Sequence, residues 1–375
     1  MGTRQLDMKK QRNSNVEILR IVAMLMIVAS HYSHHGGIDF SQISSSINYL
    51  ILKTITLGNL GVDVFVLLFG YYSVSREHVE LRKVFMLWSQ VFTYSFLIFW
   101  GAILLGVIDF SFSAFVKSIL PTIFSKYWFF TAYIVFLLLS PYINKMLKAL
   151  TRKEYELLLI IMLIIWCIIP TIFSRVPSGD AFAIFLLLYA LGAYFKLFPE
   201  NKWNNKKTGF CMISISAFLL FGSSVAFFYL KRLHPLFEGK EIYFYHKNSM
   251  FVILFALGML IVSLNKQSNC NKIVNRISSC TFGIYLLHDN DLIRTFVWND
   301  VFGTSRSIDP NSPFLICHCL VAVMTIFGVG IIIELLRKYT FEKMWLWIYK
   351  SALKIMRKAI DKTAKRGNEH VTIYK

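Results

Sequence analysis

The sequence predicts an all-α fold, a polytopic transmembrane helical bundle of about ten spans followed by a C-terminal amphipathic helix. Three observations predict it. The composition is 56% hydrophobic and 16% aromatic against 16% charged, with a mean hydropathy of +0.54, unlike that of a soluble enzyme. Apolar runs of about 20 residues, the length a helix needs to cross a bilayer core, recur along the chain. The basic residues alternate in density between successive loops. With the N-terminus inside, inner segments hold 29 of the 40 Lys and Arg and outer segments hold 9, with Arg20 and Arg294 inside spans. That asymmetry predicts cytoplasmic N- and C-termini. It also accounts for the net charge of +19, which in a soluble chain would point to nucleic acid. A lipid bilayer, and no nucleic acid, is the expected partner.

The elements follow in order. Residues 1–14 form a polar, basic lead carrying Arg4, Lys9, Lys10 and Arg12. The first span covers about 16–33. A complex segment at 47–74 holds Asp63 among apolar residues, and REHVELRK at 76–83 is a charged loop. The third span is 84–108. Residues 111–125 read as a short surface helix broken at Pro121. The fourth span starts at Tyr127, and further spans follow at about 155–173, 181–198, 209–230, 249–264, 279–298 and 313–336. The tail places Phe341, Trp345, Ile348, Ala352, Ile355 and Ala359 at helical spacing with Lys and Arg between them. It either lies on an anionic leaflet or docks on the bundle. Three regions result: 1–14, the membrane domain 15–336 and the basic tail 337–375. No repeat, separate soluble domain or cleavable signal peptide is expected, so any active site lies among the helices. The six cysteines have neither zinc nor disulfide spacing and read as small apolar side chains.

The first span carries the most informative residues. Arg20 and His31 are eleven residues apart, which is three turns plus about 20°, so they share one face about 16 Å apart. Glu17, three residues before Arg20, can pair with it. Titratable groups inside a span are costly and mark function. Arg20 alone suits snorkelling equally well; the pair puts an anion-binding group and an acid–base group on one face. His34 and His35 follow closely, but no carboxylate or Cys stands at ligand spacing, so no metal site is expected. His288, Asp289 and Asp291 inside the ninth span argue for a polar-lined cavity, on the acceptor side or as a support network. Trp128 and Tyr133 either offer stacking faces to a ring of the substrate or belong to an interfacial aromatic belt.

Four segments carry a resemblance: EILRIVAMLMIVASH, with ten residues between Arg20 and His31; LGVDVFVLLFGY; YWFFTAYIVFLLLSP; and TFGIYLLHDN. In this order they resemble the acyltransferase type 3 family of integral membrane acyltransferases, in the branch that O-acylates bacterial surface polysaccharides. The resemblance implies a multi-pass protein of the bacterial cell membrane. It implies acyl-CoA, usually acetyl-CoA, as cytoplasmic co-substrate with no bound cofactor, and a hydroxyl of a surface glycan or lipid-linked sugar as acceptor. His31 is then the essential catalytic residue, and Arg20 supports the donor site. The family's two arginines three residues apart are missing here; Arg82 and Lys83 are carried over as donor-phosphate contacts. The family's Ser-Gly is Phe69-Gly70, and an appended hydrolase-like domain is lacking. His31 would take the hydroxyl proton, or accept the acyl group itself. Asp63 would orient His31 as a carboxylate does in hydrolases, or serve packing alone. The competing function is a transporter or glycan flippase, which the lack of an internal repeat disfavours.

Overall fold

The computed structural model describes residues 12–173, 181–304 and 308–372, with side chains described to Lys358. Residues 1–11 of the basic lead, Arg175 and Arg306 of the outer segments, and the side chain of Ala359 lie outside the described residues. All helices and no strands are found among those described.

The first span is α1 (Ser14–His35). The Asn13 side chain caps it by accepting from Asn15 N–H. Gly36 and Gly37 end it, Gly37 at φ 64°. The 47–74 segment is two helices, α2 (Ser46–Thr54) and α3 (Gly58–Ser73), joined by a short turn. Helix α3 is apolar all round because it is the central helix, with Leu60, Val64, Leu67 and Leu68 sealed from solvent. Small residues permit that position. A Cβ on Gly61 would strike the Ala23 carbonyl of α1. On the opposite side Gly70 lies against the Tyr189 backbone of a later helix.

The charged loop leads into α4 (Leu81–Leu104), then the surface helix α5 (Phe112–Ile119) and α6 (Trp128–Ala149). The fifth span is α7 (Arg152–Leu163), a π turn at 164–168, and α8 (Ile169–Phe173). Next come α9 (Ala181–Leu197), α10 (Lys206–Leu230) and α11 (Met250–Leu264). Among the described residues seven helical segments are long and apolar enough to cross a membrane, with α2 and α3, α7 and α8, and the two helices of Leu315–Lys358 each counted as one segment; α9 from Phe182 onward and α11 are shorter apolar helices.

The ninth span departs from the expected continuous helix. A separate short helix, α12 (Lys272–Ser278), precedes it, and the span itself is α13 (Thr281–His288), then a turn and a π segment at Phe296–Val301. The polar triplet Asp289-Asn290-Asp291 breaks it, and each member has a partner. Asp289 pairs with Arg294, Asn290 donates to the Tyr127 hydroxyl, and Asp291 pairs with Lys126. Helix α14 (Leu315–Tyr339) closes the bundle. Its buried Glu334 accepts from Gln90 and Tyr94 of α4 and from Arg337. The tail helix α15 (Phe341–Thr372) is docked at its start: Trp345 Nε1 donates to Thr93 Oγ1 at 2.9 Å and packs on Trp88 and Phe92 of α4. Ile355, Met356 and the basic residues around them are exposed.

Candidate active site

The broken ninth span faces α1 across a cavity of about 310 Å³, walled by α1, α3, α4, α6, α12 and α13. Arg20 and His31 both line it, as do Lys83, Trp128, Tyr133 and Asp289.

At one end, Glu17 is buried and holds Arg20 through both carboxylate oxygens, at 3.0 and 3.2 Å from Nη1. Glu17 also accepts from Ser278 Oγ at 2.5 Å. It does not line the cavity; it aims the guanidinium that does. Tyr72 lies against the other side of Arg20, its ring centroid 5.5 Å from Cζ. Lys83 shares this end and has Arg20 and Arg76 as charged neighbours. Arg76 pairs with Glu80 at 3.2 Å, while its Nη1 is buried without a hydrogen bond. Arg82 is exposed and off the cavity, because one residue turns a helix by about 100° and Lys83 takes the inward position. Arg76, not expected as a site residue, belongs to this cationic end. Its loop position gave no helical phase from which to place it.

At the other end, His31 is held by residues about 257 positions away. His288 Nδ1 lies 2.6 Å from the Ile284 carbonyl oxygen, which only accepts, so Nδ1 carries the proton. His288 Nε2 is left with a lone pair and accepts from His31 Nδ1–H, 3.0 Å away. The neutral His31 therefore keeps its own lone pair on Nε2, which makes no hydrogen bond among the described residues. Asp289 Oδ1 sits 3.7 Å from His31 Nδ1 and 3.1 Å from Arg294 Nη1. His288 and Asp289 are thus the described residues whose polar atoms stand nearest His31 Nδ1.

Asp63 does not orient His31. It is fully buried on α3 and neither carboxylate oxygen has a hydrogen-bond partner. Its ionisable neighbours are Lys247 and Cys167, away from the histidine. The orienting contact comes from His288 and Asp289 instead. Trp128 is partly exposed at the cavity wall with Lys247 Nζ 5.5 Å from its ring, and Tyr133 packs against Phe69 with the rings tilted and their centroids 4.5 Å apart. Tyr285 stands in the TFGIYLLHDN segment, where the sequence gives it no role. It lines the cavity with a buried hydroxyl that donates to no described group.

No metal-ligating set was expected from local spacing, yet the fold brings one together: His31, His35 and Asp289 place ligand atoms within 4.8 Å of one another. Asp289 is remote in sequence, which is why spacing alone missed it.

The molecule is thus a multi-pass helical membrane protein with the His31 imidazole and the Arg20 and Lys83 cations lining one internal cavity. The chain belongs to the acyltransferase type 3 family: the family's model, an acyltransferase domain, matches residues 13–335. It is accordingly a membrane acyltransferase. Neither a curated protein nor a solved structure matches the chain. The matched segment takes in α1 and nearly all of α14, and so contains every wall of the cavity; the tail helix lies beyond it.

Proposed function

We propose that the chain moves an acetyl group from cytoplasmic acetyl-CoA to a hydroxyl of a cell-surface polysaccharide or its lipid-linked precursor, in a bacterial cell membrane with both termini cytoplasmic. The observation that carries this reading is the fixed tautomer of His31, at the far end of a cavity from Arg20 and Lys83. Arg20 and Lys83, with Arg76 beside them, would take the CoA phosphates; arginine suits bidentate phosphate contacts. The pantetheine arm has about a dozen bonds and spans about 14 Å when extended, near the ~16 Å between Arg20 and His31 along the helix.

The acceptor hydroxyl gives its proton to His31 Nε2 while its oxygen bonds to the thioester carbon. The carbon–sulfur bond then breaks, and the CoA sulfur takes the proton back. Charge on the carbonyl oxygen in the transition state needs a donor. The unused Tyr285 hydroxyl supplies one. The positive charge that forms on His31 is shared with Asp289 and with the Ile284–His288 relay. The same Nε2 lone pair is the nucleophile of an acyl-imidazole route, and trapping labelled acetyl on His31 separates the two. Trp128 and Tyr133 offer stacking faces to a sugar ring.

Mass spectrometry of surface glycans with and without the gene tests the acceptor. Loss of an O-acetyl group from a polysaccharide repeat, restored by the wild-type chain and not by His31→Ala, is expected. Unchanged glycan acetylation overturns the reading.

A further inference from the structure

His31 and His35 stand one turn apart on α1, ring centroids 4.9 Å apart. Asp289 reaches both from the end of α13, with Oδ1 3.7 Å from His31 Nδ1 and 3.9 Å from His35 Nε2. Zinc bonds of about 2.0–2.1 Å in a tetrahedral site put ligand atoms roughly 3.3 Å apart. Small rotations of these side chains therefore close the set around an ion. His288 Nε2, 3.0 Å from His31 Nδ1, is a fourth donor already carrying a lone pair. The Ile284 carbonyl on its other nitrogen is the outer partner that metal-bound imidazoles have, and Arg294 holds the Asp289 carboxylate in the same way. Three imidazoles and one carboxylate match zinc, whereas magnesium and calcium take oxygen ligands.

We propose that His31, His35, His288 and Asp289 form a Zn²⁺ site whose occupancy switches acyl transfer off. Only the inhibitory effect rests on the reading of His31 as the base; metal binding stands without it. On binding, the proton of His31 moves from Nδ1 to Nε2 and the Nδ1 lone pair goes to the metal. The imidazole stays neutral and no oxidation state changes. Nε2 now carries a proton and no longer accepts one from the hydroxyl, so the metal selects the tautomer opposite to the one the Ile284–His288 relay imposes. His35 has no part in acyl transfer and serves only this site.

The test uses the purified full-length chain in detergent, with Zn²⁺ binding read by competition with a chromophoric chelator and acyl transfer by release of CoA. One Zn²⁺ per chain is expected, unaffected by excess Mg²⁺, with turnover lost as the site fills and restored by EDTA. His35→Gln should weaken Zn²⁺ binding by more than about tenfold, since even outer-shell changes cost 10–100-fold, while turning over normally without metal. Co²⁺ added to the unaltered chain should give the visible bands of a tetrahedral centre, a readout that needs no variant. Absence of stoichiometric binding, or binding that His35→Gln leaves intact, overturns the site. Full turnover with Zn²⁺ bound overturns the switch. Stoichiometric binding in a chain that never transfers acetyl leaves the site standing and counts against the acyl-transfer reading instead.

Discussion

At the scale of single residues, the proposed reaction turns on where one proton sits. The Ile284 carbonyl fixes His288, and His288 fixes His31. Replacing His288 by Phe removes the acceptor and frees both tautomers of His31. The expected result is a fall in kcat of about 10²-fold with little change in KM for acetyl-CoA, since a lost tautomer preference slows chemistry and not donor binding. Tyr285→Phe tests the oxyanion assignment separately, with kcat expected to drop about 10²-fold in steady-state assays. Spacing alone put Glu17, Arg20 and His31 on one face, and the structure places Glu17 against Arg20 and both Arg20 and His31 in one cavity. The partner of His31 was not legible. The sequence marks His288 and Asp289 as polar groups in an apolar run, but only the packing of α13 on α1 aims them at His31. Asp63 is a carboxylate in an apolar span, which suits the orienting role in sequence, but helical phase cannot say which neighbour a central helix turns it toward, and its oxygens meet no hydrogen-bond partner.

At the scale of elements, the cavity depends on helices that approach closely. Gly70→Val on α3 would drive a branched side chain into the Tyr189 backbone of α9. Overpacking of this kind costs about 1–3 kcal/mol, expected as a lower thermal midpoint in detergent. The ninth segment reads as a span by hydropathy, yet three consecutive polar residues break it because Tyr127, Lys126 and Arg294 offer partners at that depth. Hydropathy counts apolar residues and cannot see such partners. In the loop between α10 and α11, Glu241 accepts from Lys231 Nζ at 2.6 Å and from the Tyr49 hydroxyl at 2.8 Å. Burial by itself would raise the Glu241 carboxyl; Lys231, the residue's own backbone and Tyr49 outweigh it and hold it below the ordinary carboxylate range. A depressed carboxylate stabilises the fold above its unfolded value and loses that contribution as pH falls through the folded one. Protection of residues 231–249 from hydrogen exchange, taken relative to the intrinsic rate at each pH, should therefore fall on acidification below about pH 4.5, and Glu241→Gln should remove that dependence.

At the scale of the whole molecule, the proposed donor and acceptor meet across a membrane, so orientation decides the mechanism. The proposed orientation turns Arg20, Lys83 and Arg76 toward the CoA pool and His31 toward the exterior. Cys270 is exposed in the loop between α11 and α12, on the side expected to be cytoplasmic. In a variant keeping Cys270 as its single thiol, an impermeant maleimide should label inverted vesicles and spare intact cells; the reverse pattern would put the donor end outside. The bundle and its membrane character were legible because apolar length is written in the sequence, whereas a cavity assembled from six helices is not. The central claim, that His31 does the chemistry and leaves the holding of CoA to the far end of the cavity, is tested most directly by His31→Gln in the purified chain, with acetyl-CoA binding by calorimetry and turnover by CoA release. The account predicts binding within about threefold of wild type and turnover reduced by about 10²–10⁴-fold. Turnover within about threefold of wild type would contradict it.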